Sequence, residues 1–325
     1  MGHIAMELIH MSSSSRKPRV SIGLPVYNGE NFVRDALDSI LAQTFDDFEL
    51  IISDNASTDR TQAICKSYAS KDSRIHYSRN EQNLGAAKNF NRVFELSSGE
   101  YFKWASHDDT IAPEYIQKCV EVLDDDASVI LCHPKTQIVD QDGRFVENKD
   151  ARSHVDSPKP HHRLRNLLCR GGFNIAYPIF GLIRRDVLAD TPLIDDYVAS
   201  DLALLVRLSL RGRFHEIPER LFSAREHPQR SIRAQPLHMR AGWFNSKNEG
   251  KIAFPKWRLL REYLKAIREA PIAEAERLAC YRHTMSWCRK NWRRLAYKEV
   301  ELAAKVYLRR SMRTRNRPAG IARTA

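Results

Sequence analysis

Two adjacent carboxylates, Asp108 and Asp109, close the run Trp104-Ala105-Ser106-His107-Asp108-Asp109 directly after an apolar segment. At the end of a strand such a pair suits a hard divalent cation, Mn2+ or Mg2+, which takes one or two carboxylates and leaves its other positions to diphosphate oxygens. The same residues also suit a polar turn capping the helix that Pro113 opens. Asp54 closes a second apolar segment in Ser53-Asp54-Asn55-Ala56-Ser57-Thr58-Asp59. Its carboxylate can accept a hydrogen bond from a base or ribose, or build an Asx-turn beside the helix cap of Ser57 or Thr58. Pro25-Val26-Tyr27-Asn28-Gly29 closes a third: the Tyr27 ring can stack on a nucleobase, while Asn28-Gly29 can turn the chain into a helix.

The elements that must position these groups follow from periodicity. Val20–Val26, Phe48–Ser53, Ile75–Ser78 and Tyr101–Ala105 read as strands. Between the first two, Val33, Ala36, Leu37, Ile40 and Leu41 repeat at helical spacing; Ala86, Phe90 and Val93 mark a later helix, and Ile116, Cys119, Val120 and Leu123 the one after Pro113. This alternation predicts an α/β fold, a mostly parallel sheet with helices on both faces and ligands bound beyond the carboxyl ends of its strands. A strand at Val129–His133 leads into a hairpin turning at Asp142-Gly143. The stretch 149–163 reads as a surface loop, 199–210 as a helix and Arg213–Ile217 as a short strand. After Pro255 helices alone are expected, one with Trp257, Leu260, Leu264 and Ile267 on its apolar face, another with Leu278, Tyr281, Met285 and Cys288.

Net charge locates a third region. Of the formal +12, residues 251–325 carry 20 Lys+Arg against 6 Asp+Glu, so the rest of the chain stands at −2. The expected organisation is a leader over 1–18, an α/β domain over 19–235 (a nucleotide half 19–110, an acceptor half 111–235) and a basic helical region over 236–325. Six cysteines without CxxC spacing and no apolar run of spanning length lead to the expectation of a cytoplasmic protein. Basic amphipathic helices add the expectation of peripheral attachment to an anionic membrane. GxGxxG, GxxxxGK[ST] and HExxH are all missing, which removes the main support for dinucleotide oxidoreductase, P-loop and zinc-peptidase chemistry.

Strand-PVYN, strand-SDNASTD and NEQNLGAAKNFNRVFELSSGEYFKWASHDD, in that order and spacing, resemble the family 2 glycosyltransferases of GT-A fold over about Arg19 to Ser231. The resemblance implies an enzyme that moves a sugar from a nucleotide-diphosphate donor to an acceptor hydroxyl with inversion, in polysaccharide, glycolipid or other cell-surface glycan assembly, on a glycan or lipid-linked acceptor. It implies that Pro25, Tyr27, Asn28 and Asp54 hold the nucleoside, that Asn83, Gly85 and Asn89 line the donor pocket, and that Asp108 and Asp109 bind Mn2+ or Mg2+, Asp109 directly. Lys88 stands where the family often has a basic residue for the diphosphate, though a solvated helix lysine looks the same. Asp201 matches the family's general base, with Ser200 in place of the usual preceding glutamate; an N-cap at Asp201 is the structural alternative. Arg225 and His227 resemble the R-x-H segment, His227 as a further metal or phosphate ligand and Arg225 against diphosphate charge. The rival readings are a nucleotidyltransferase, a catalytically inactive binding domain, and a nucleic-acid-binding protein carried by the basic tail.

Overall fold

A computed structural model describes residues 17–150, 154–169, 176–228, 230, 254–301 and 304. Most of the expected leader, residues 171–175, Ser231 and the last twenty-one residues lie outside that set.

Strands and helices alternate through the first third: β1 (Val20–Val26), α1 (Val33–Leu41), β2 (Phe48–Asp54), α2 (Thr61–Ala69), β3 (Ile75–Arg79), α3 (Ala86–Glu95) and β4 (Tyr101–Trp104). The four strands lie parallel in the order β3-β2-β1-β4. Strand β1 is buried throughout, as a parallel strand covered on both faces must be.

The second part adds β5 (Thr110–Ile111), α4 (Tyr115–Asp125), β6 (Val129–Val139), β7 (Phe145–Lys149), α5 (Pro160–Cys169), β8 (Leu182–Arg184), α6 (Arg185–Ala189), α7 (Ser200–Ser209) and β9 (Arg213–Arg225). These strands extend the same sheet as β4-β8-β6-β9-β5, with β8 antiparallel to both neighbours and β9 parallel to β6 but antiparallel to β5. Strands β6 and β9 run well past the ends the sequence suggests. Pro134 and Pro218 look like strand stops, yet the register jumps from Pro134↔Ile217 to Lys135↔Arg220, so a bulge takes up Pro218 and Glu219 and pairing resumes. The hairpin at Asp142-Gly143 forms between β6 and β7, with Gly143 at φ 80°. The loop expected over 149–163 is shorter than its composition implies: helix α5 begins at Pro160, and Arg163 and Leu164 are buried.

Two apolar cores lie on opposite faces of the sheet. One joins Ile22, Leu24, Leu37, Ile116 and Val120. The other joins Phe102, Trp104, Leu131 and Leu205 to residues of α8 (Pro255–Glu269) and α9 (Glu274–Arg293), among them Leu259, Tyr263, Ile267 and Trp287. The basic helices thus share a core with the α/β layer. Their buried faces differ from those read off the sequence. Helix α8 buries Leu259, Glu262, Tyr263, Ala266 and Ile267 while Trp257 is exposed; α9 buries Cys280, Thr284 and Trp287 while Leu278 and Met285 are exposed. Glu262 explains the α8 discrepancy, because a buried carboxylate paired with Arg207 of α7 at 3.4 Å breaks the apolar stripe without breaking the interface.

Candidate active site

Strands β2, β1 and β4 are neighbours and parallel, so the segments after Asp54, Val26 and Trp104 emerge at one rim. The first two turns hold non-glycine residues in left-handed backbone, Asn28 at φ 51° and Ala56 at φ 63°. Such a conformation costs about 1 kcal/mol for an alanine and persists only where surrounding bonds enforce it. The bonds are present. The Asn28 N–H donates to Ser57 Oγ (3.0 Å), Thr58 N–H to Asn28 Oδ1 (2.9 Å), Gly29 N–H to Thr61 Oγ1 (2.8 Å) and Glu30 N–H to Asp59 Oδ2 (3.1 Å). Ser57 and Thr58 therefore stitch the two turns together and do not cap α2, whose N-cap position is Arg60. At the mouth they form, Tyr27 is 45% exposed, above the buried β1 residue Pro25.

Asp54 is closed to solvent. Its Oδ1 accepts the Ser57 N–H and its Oδ2 the Tyr77 hydroxyl, both at 2.8 Å, with Arg79 Nε at 3.5 Å. Burial, and then this bond to Asp54, pushes the Tyr77 phenol above its ordinary range. Asn89 is likewise buried, whereas Asn83 is exposed, and both spend their side chains on protein partners. Asn83 Oδ1 accepts Asn55 Nδ2 (2.9 Å) and Gly85 N–H (2.8 Å); Asn89 exchanges two bonds with Ser53 and accepts Asn80 Nδ2 at 3.0 Å. Gly85, at φ 85°, turns the chain into α3. Asn55, Asn80 and Tyr77, to which sequence reading gave no site role, are members of this network.

The acidic pair is assembled across the chain. Short strand β5 follows Asp109 and pairs with the end of β9, setting Thr110 against Ser223. That pairing brings the Arg225 N–H onto Asp109 Oδ1 at 2.9 Å, and His227 Nε2 to 2.9 Å from Asp108 Oδ2. The Ser106 hydroxyl donates to the other oxygen of Asp108. Burial alone would raise Asp108; the His227 bond, the charge of His107 and the Ser106 hydroxyl outweigh it and hold the carboxyl below the usual range. Asp109 moves the other way, raised by burial and then by the charge of Asp108. The Arg225 guanidinium is engaged on three sides, with Asp108 O (3.0 Å), Gln141 O (2.8 Å) and Asp35 Oδ2 (2.8 Å), and lies over the Phe32 ring at 5.0 Å.

Two further basic side chains bear on this pair, Arg230 outside the quoted motifs and Lys103 within the third of them, where its own role was not singled out. Arg230 is held by Glu226 at 2.8 Å; burial works against its charge, and the field of Asp109 more than restores it. Lys103 of β4 is fully buried, donating to the Trp104 and Phe180 carbonyls above the Tyr115 ring, and burial pulls its ammonium down to about 7 against the field of Asp109.

Asp201 lies in the first turn of α7, its Oδ1 accepting the Leu202 N–H at 2.9 Å, and burial raises its carboxyl above the usual range. The N-cap residue is Ala199, in left-handed backbone at φ 67°. Just before it, Ile194, Asp195 and Asp196 form one wall of a groove of about 210 Å³ whose other wall is Leu84, Ala87, Lys88 and Asn91. Lys88 is exposed there, on the same groove as the segment leading to Asp201.

Among the described residues no three His, Cys, Asp or Glu side chains converge as a metal cage. A divalent cation that draws most of its oxygens from a diphosphate needs only one or two protein ligands; the candidate ligands Asp108 and His227 are bonded to each other at 2.9 Å.

The family described as Glycosyl transferase family 2 matches residues 21–191, more than half of the chain. An uncharacterized glycosyltransferase of Rickettsia typhi is 35% identical over 132 residues, 40% of each chain. The Bacillus subtilis protein TuaG, named for teichuronic acid biosynthesis, is 31% identical over 147 residues, 44% of this chain and 58% of its own. Each match spans less than two thirds of the relative. In fold, the chain is similar to S. aureus TarS 1–349 in complex with UDP-GlcNAc, with a TM-score of 0.63 and 20% identity over 89% of this chain and 79% of that one. With the sheet order, the rim and the family match agreeing from Ser21 through Thr191, the chain belongs to the family 2 glycosyltransferases, on a GT-A fold.

Proposed function

We propose that the protein transfers a sugar from a nucleotide-diphosphate donor to an acceptor hydroxyl with inversion, using residues 19–110 for the nucleotide and 111–235 for the acceptor. The single observation that carries this reading is the meeting of Asp108 with His227, and of Asp109 with Arg225, at the rim of β1, β2 and β4. A complex of TarS with UDP-GlcNAc makes a uridine nucleotide the first donor class to try.

In this reading Tyr27 stacks on the base and Pro25 shapes the floor beneath it. Asn28, Asp54, Asn83 and Asn89 hold the turns of the pocket through the bonds described above. Asp108, Asp109 and His227 would hold Mn2+ or Mg2+, which when bound would offset charge on the departing diphosphate. Arg225 fixes the loop that carries the carboxylates, and Arg230 and Lys88 add positive charge for the diphosphate. The acceptor oxygen attacks the anomeric carbon, its proton passes to Asp201, and the bond to the diphosphate oxygen breaks with its electrons on the leaving group. A carboxyl raised by burial is a better base near neutral pH, and such a base typically contributes ~10²–10⁴ in rate.

The acceptor is proposed to be a growing cell-surface glycan, presented at a membrane. No helix among the described residues is long and apolar enough to cross one. Helix α9 instead exposes Leu278, Arg282, Met285, Arg289 and Trp292 at a spacing of four, three, four and three residues, a basic and apolar stripe suited to an anionic lipid surface. Flotation with phosphatidylglycerol vesicles tests it; equal retention of the Arg282→Glu/Arg289→Glu variant would remove the membrane from the reading.

The donor test is a thermal-shift panel of UDP-, GDP- and dTDP-sugars with and without Mn2+. A nucleotide bound at 100 times its Kd adds about 2.7 kcal/mol of stability. No shift from any nucleotide would overturn the transferase reading.

A further inference from the structure

The loop that delivers Asp201 is held from outside the family-matched region. Arg258, in the first turn of α8, reaches back to it: its Nη2 is 3.4 Å from Asp195 Oδ2, and its guanidinium lies over the Tyr197 ring, 4.7 Å from the centroid. The other side of the guanidinium faces Glu262, whose carboxylate also meets Arg207 of α7. Asp195 is one wall of the groove, Tyr197 follows two residues later, and Asp201 opens the helix four residues after that.

Three bonds hold the segment from within, Leu193 N–H to Thr191 Oγ1 (3.2 Å), Asp196 N–H to Asp195 Oδ1 (2.7 Å) and Ser200 N–H to the Tyr197 carbonyl (3.2 Å), yet its backbone is strained. Leu193 (φ 58°) and Ala199 (φ 67°) both occupy left-handed backbone without being glycine, a conformation that disfavours a side-chain-bearing residue. The Ser200 hydroxyl is buried without a hydrogen-bond partner, a further cost. At the upstream end the Asn91 side chain pins the segment, its Nδ2 donating to the Ile194 carbonyl at 2.9 Å and its Oδ1 accepting the Ile194 N–H at 3.1 Å. At the downstream end the restraint is Arg258, through Asp195 and Tyr197.

We propose that Arg258 is a positioning residue for transfer: by gripping Asp195 and Tyr197 it keeps the 193–199 segment, and with it the groove wall and Asp201, in working order. The helical region beyond residue 253 is then part of the acceptor side of the enzyme. This rests on the assignment of Asp201 as base, and the test separates the two.

The full chain is compared with Arg258→Ala, Arg258→Lys, Asp195→Asn and the Arg258→Ala/Asp195→Asn pair. Hydrogen exchange of the protein alone is read over 193–201, and nucleotide-sugar turnover is resolved into kcat and donor KM. Arg258→Ala is expected to speed exchange at 193–201 at least tenfold, leave β1 protected, and lower kcat tenfold or more at unchanged donor KM. Arg258→Lys restores part of kcat, since it keeps the charge and loses the flat face on Tyr197. The double variant is no worse than the worse single variant, as expected of two groups acting through one contact. Unchanged exchange at 193–201 in Arg258→Ala, or a rise in donor KM matching the loss in kcat, overturns the proposal; so does unfolding of both Arg258 variants. Asp201→Asn is the separate control: full turnover there removes the base assignment, whereas an inactive Asp201→Asn beside a fully active Arg258→Ala removes only the role of Arg258.

Discussion

His227 Nε2 lies 2.9 Å from Asp108 Oδ2 across 119 residues of sequence, a contact made possible by the pairing of β5 with β9 that joins the acidic loop to the segment after β9. Asp108→Asn and His227→Ala are each expected to lower transfer at least a hundredfold. Both abolish the extra stabilisation that Mn2+ gives to bound nucleotide, measured by thermal shift, while melting in the absence of ligands moves by only a few degrees. Retained Mn2+ dependence in both variants would show that the cation binds elsewhere.

Arg225 acts through geometry more than charge. Lysine cannot serve Asp108 O, Gln141 O and Asp35 at once. Arg225→Lys is therefore expected to cost about 2 kcal/mol of stability and to weaken nucleotide binding. Asp35→Asn, at the exposed end of the same ion pair, should cost under about 1 kcal/mol. Chemical denaturation of the two variants side by side checks the ordering.

His133 in β6 adds an acid-sensitive term to stability. Burial pulls its imidazole down to about 4 from an ordinary 6.5. Between those values the unfolded chain binds a proton that the folded His133 refuses, so this contribution is full above pH 6.5 and falls as the pH drops toward 4, while the raised Asp109 carboxyl contributes in the opposite direction. The loss amounts to about 3 kcal/mol at most. His133→Leu should flatten this part of the stability curve, and denaturant midpoints at pH 7, 5.5 and 4.5 would reveal it.

Ending the chain before Phe254 removes Leu259, Tyr263, Ile267 and Trp287 from the core they share with Phe102, Trp104 and Leu205. Each fully buried side chain of this size contributes roughly 1.5–3 kcal/mol. The shortened chain is expected to bind a hydrophobic dye and to lose its near-ultraviolet circular dichroism. A sharp unfolding transition at the full-length Tm would mean that the helices are dispensable for folding.

The first half of the fold was legible because β1, β2 and β4 are predominantly apolar and α1 and α4 carry clean helical stripes. What stayed hidden has identifiable causes. Strands β5 and β8 are two and three residues long, too short for any period. Pro134 and Pro218 disguised long strands as short ones, and Glu262 disguised the inner face of α8. Asp108 and Asp109 could be picked out as a pair, but the contact between Asp108 and His227 exists only through a β pairing that no local pattern encodes. Asp54 and Asn89 were visible within the motifs, whereas their inward orientation depends on Tyr77 and Asn80 on neighbouring segments.

The seam between β5 and β9 also orders events on the ribosome. Asp109 leaves the exit tunnel long before Arg225 is synthesised, so the nascent chain can pair β1 to β4 in parallel while its acidic loop still lacks its partner strand. Maturation of that loop must await translation of the second half, and the apolar surface that α8 and α9 cover stays open later still. A stalled chain ending near residue 200 would hold β1, β2, β3 and β4 while Asp108 and Asp109 still lacked His227 and Arg225.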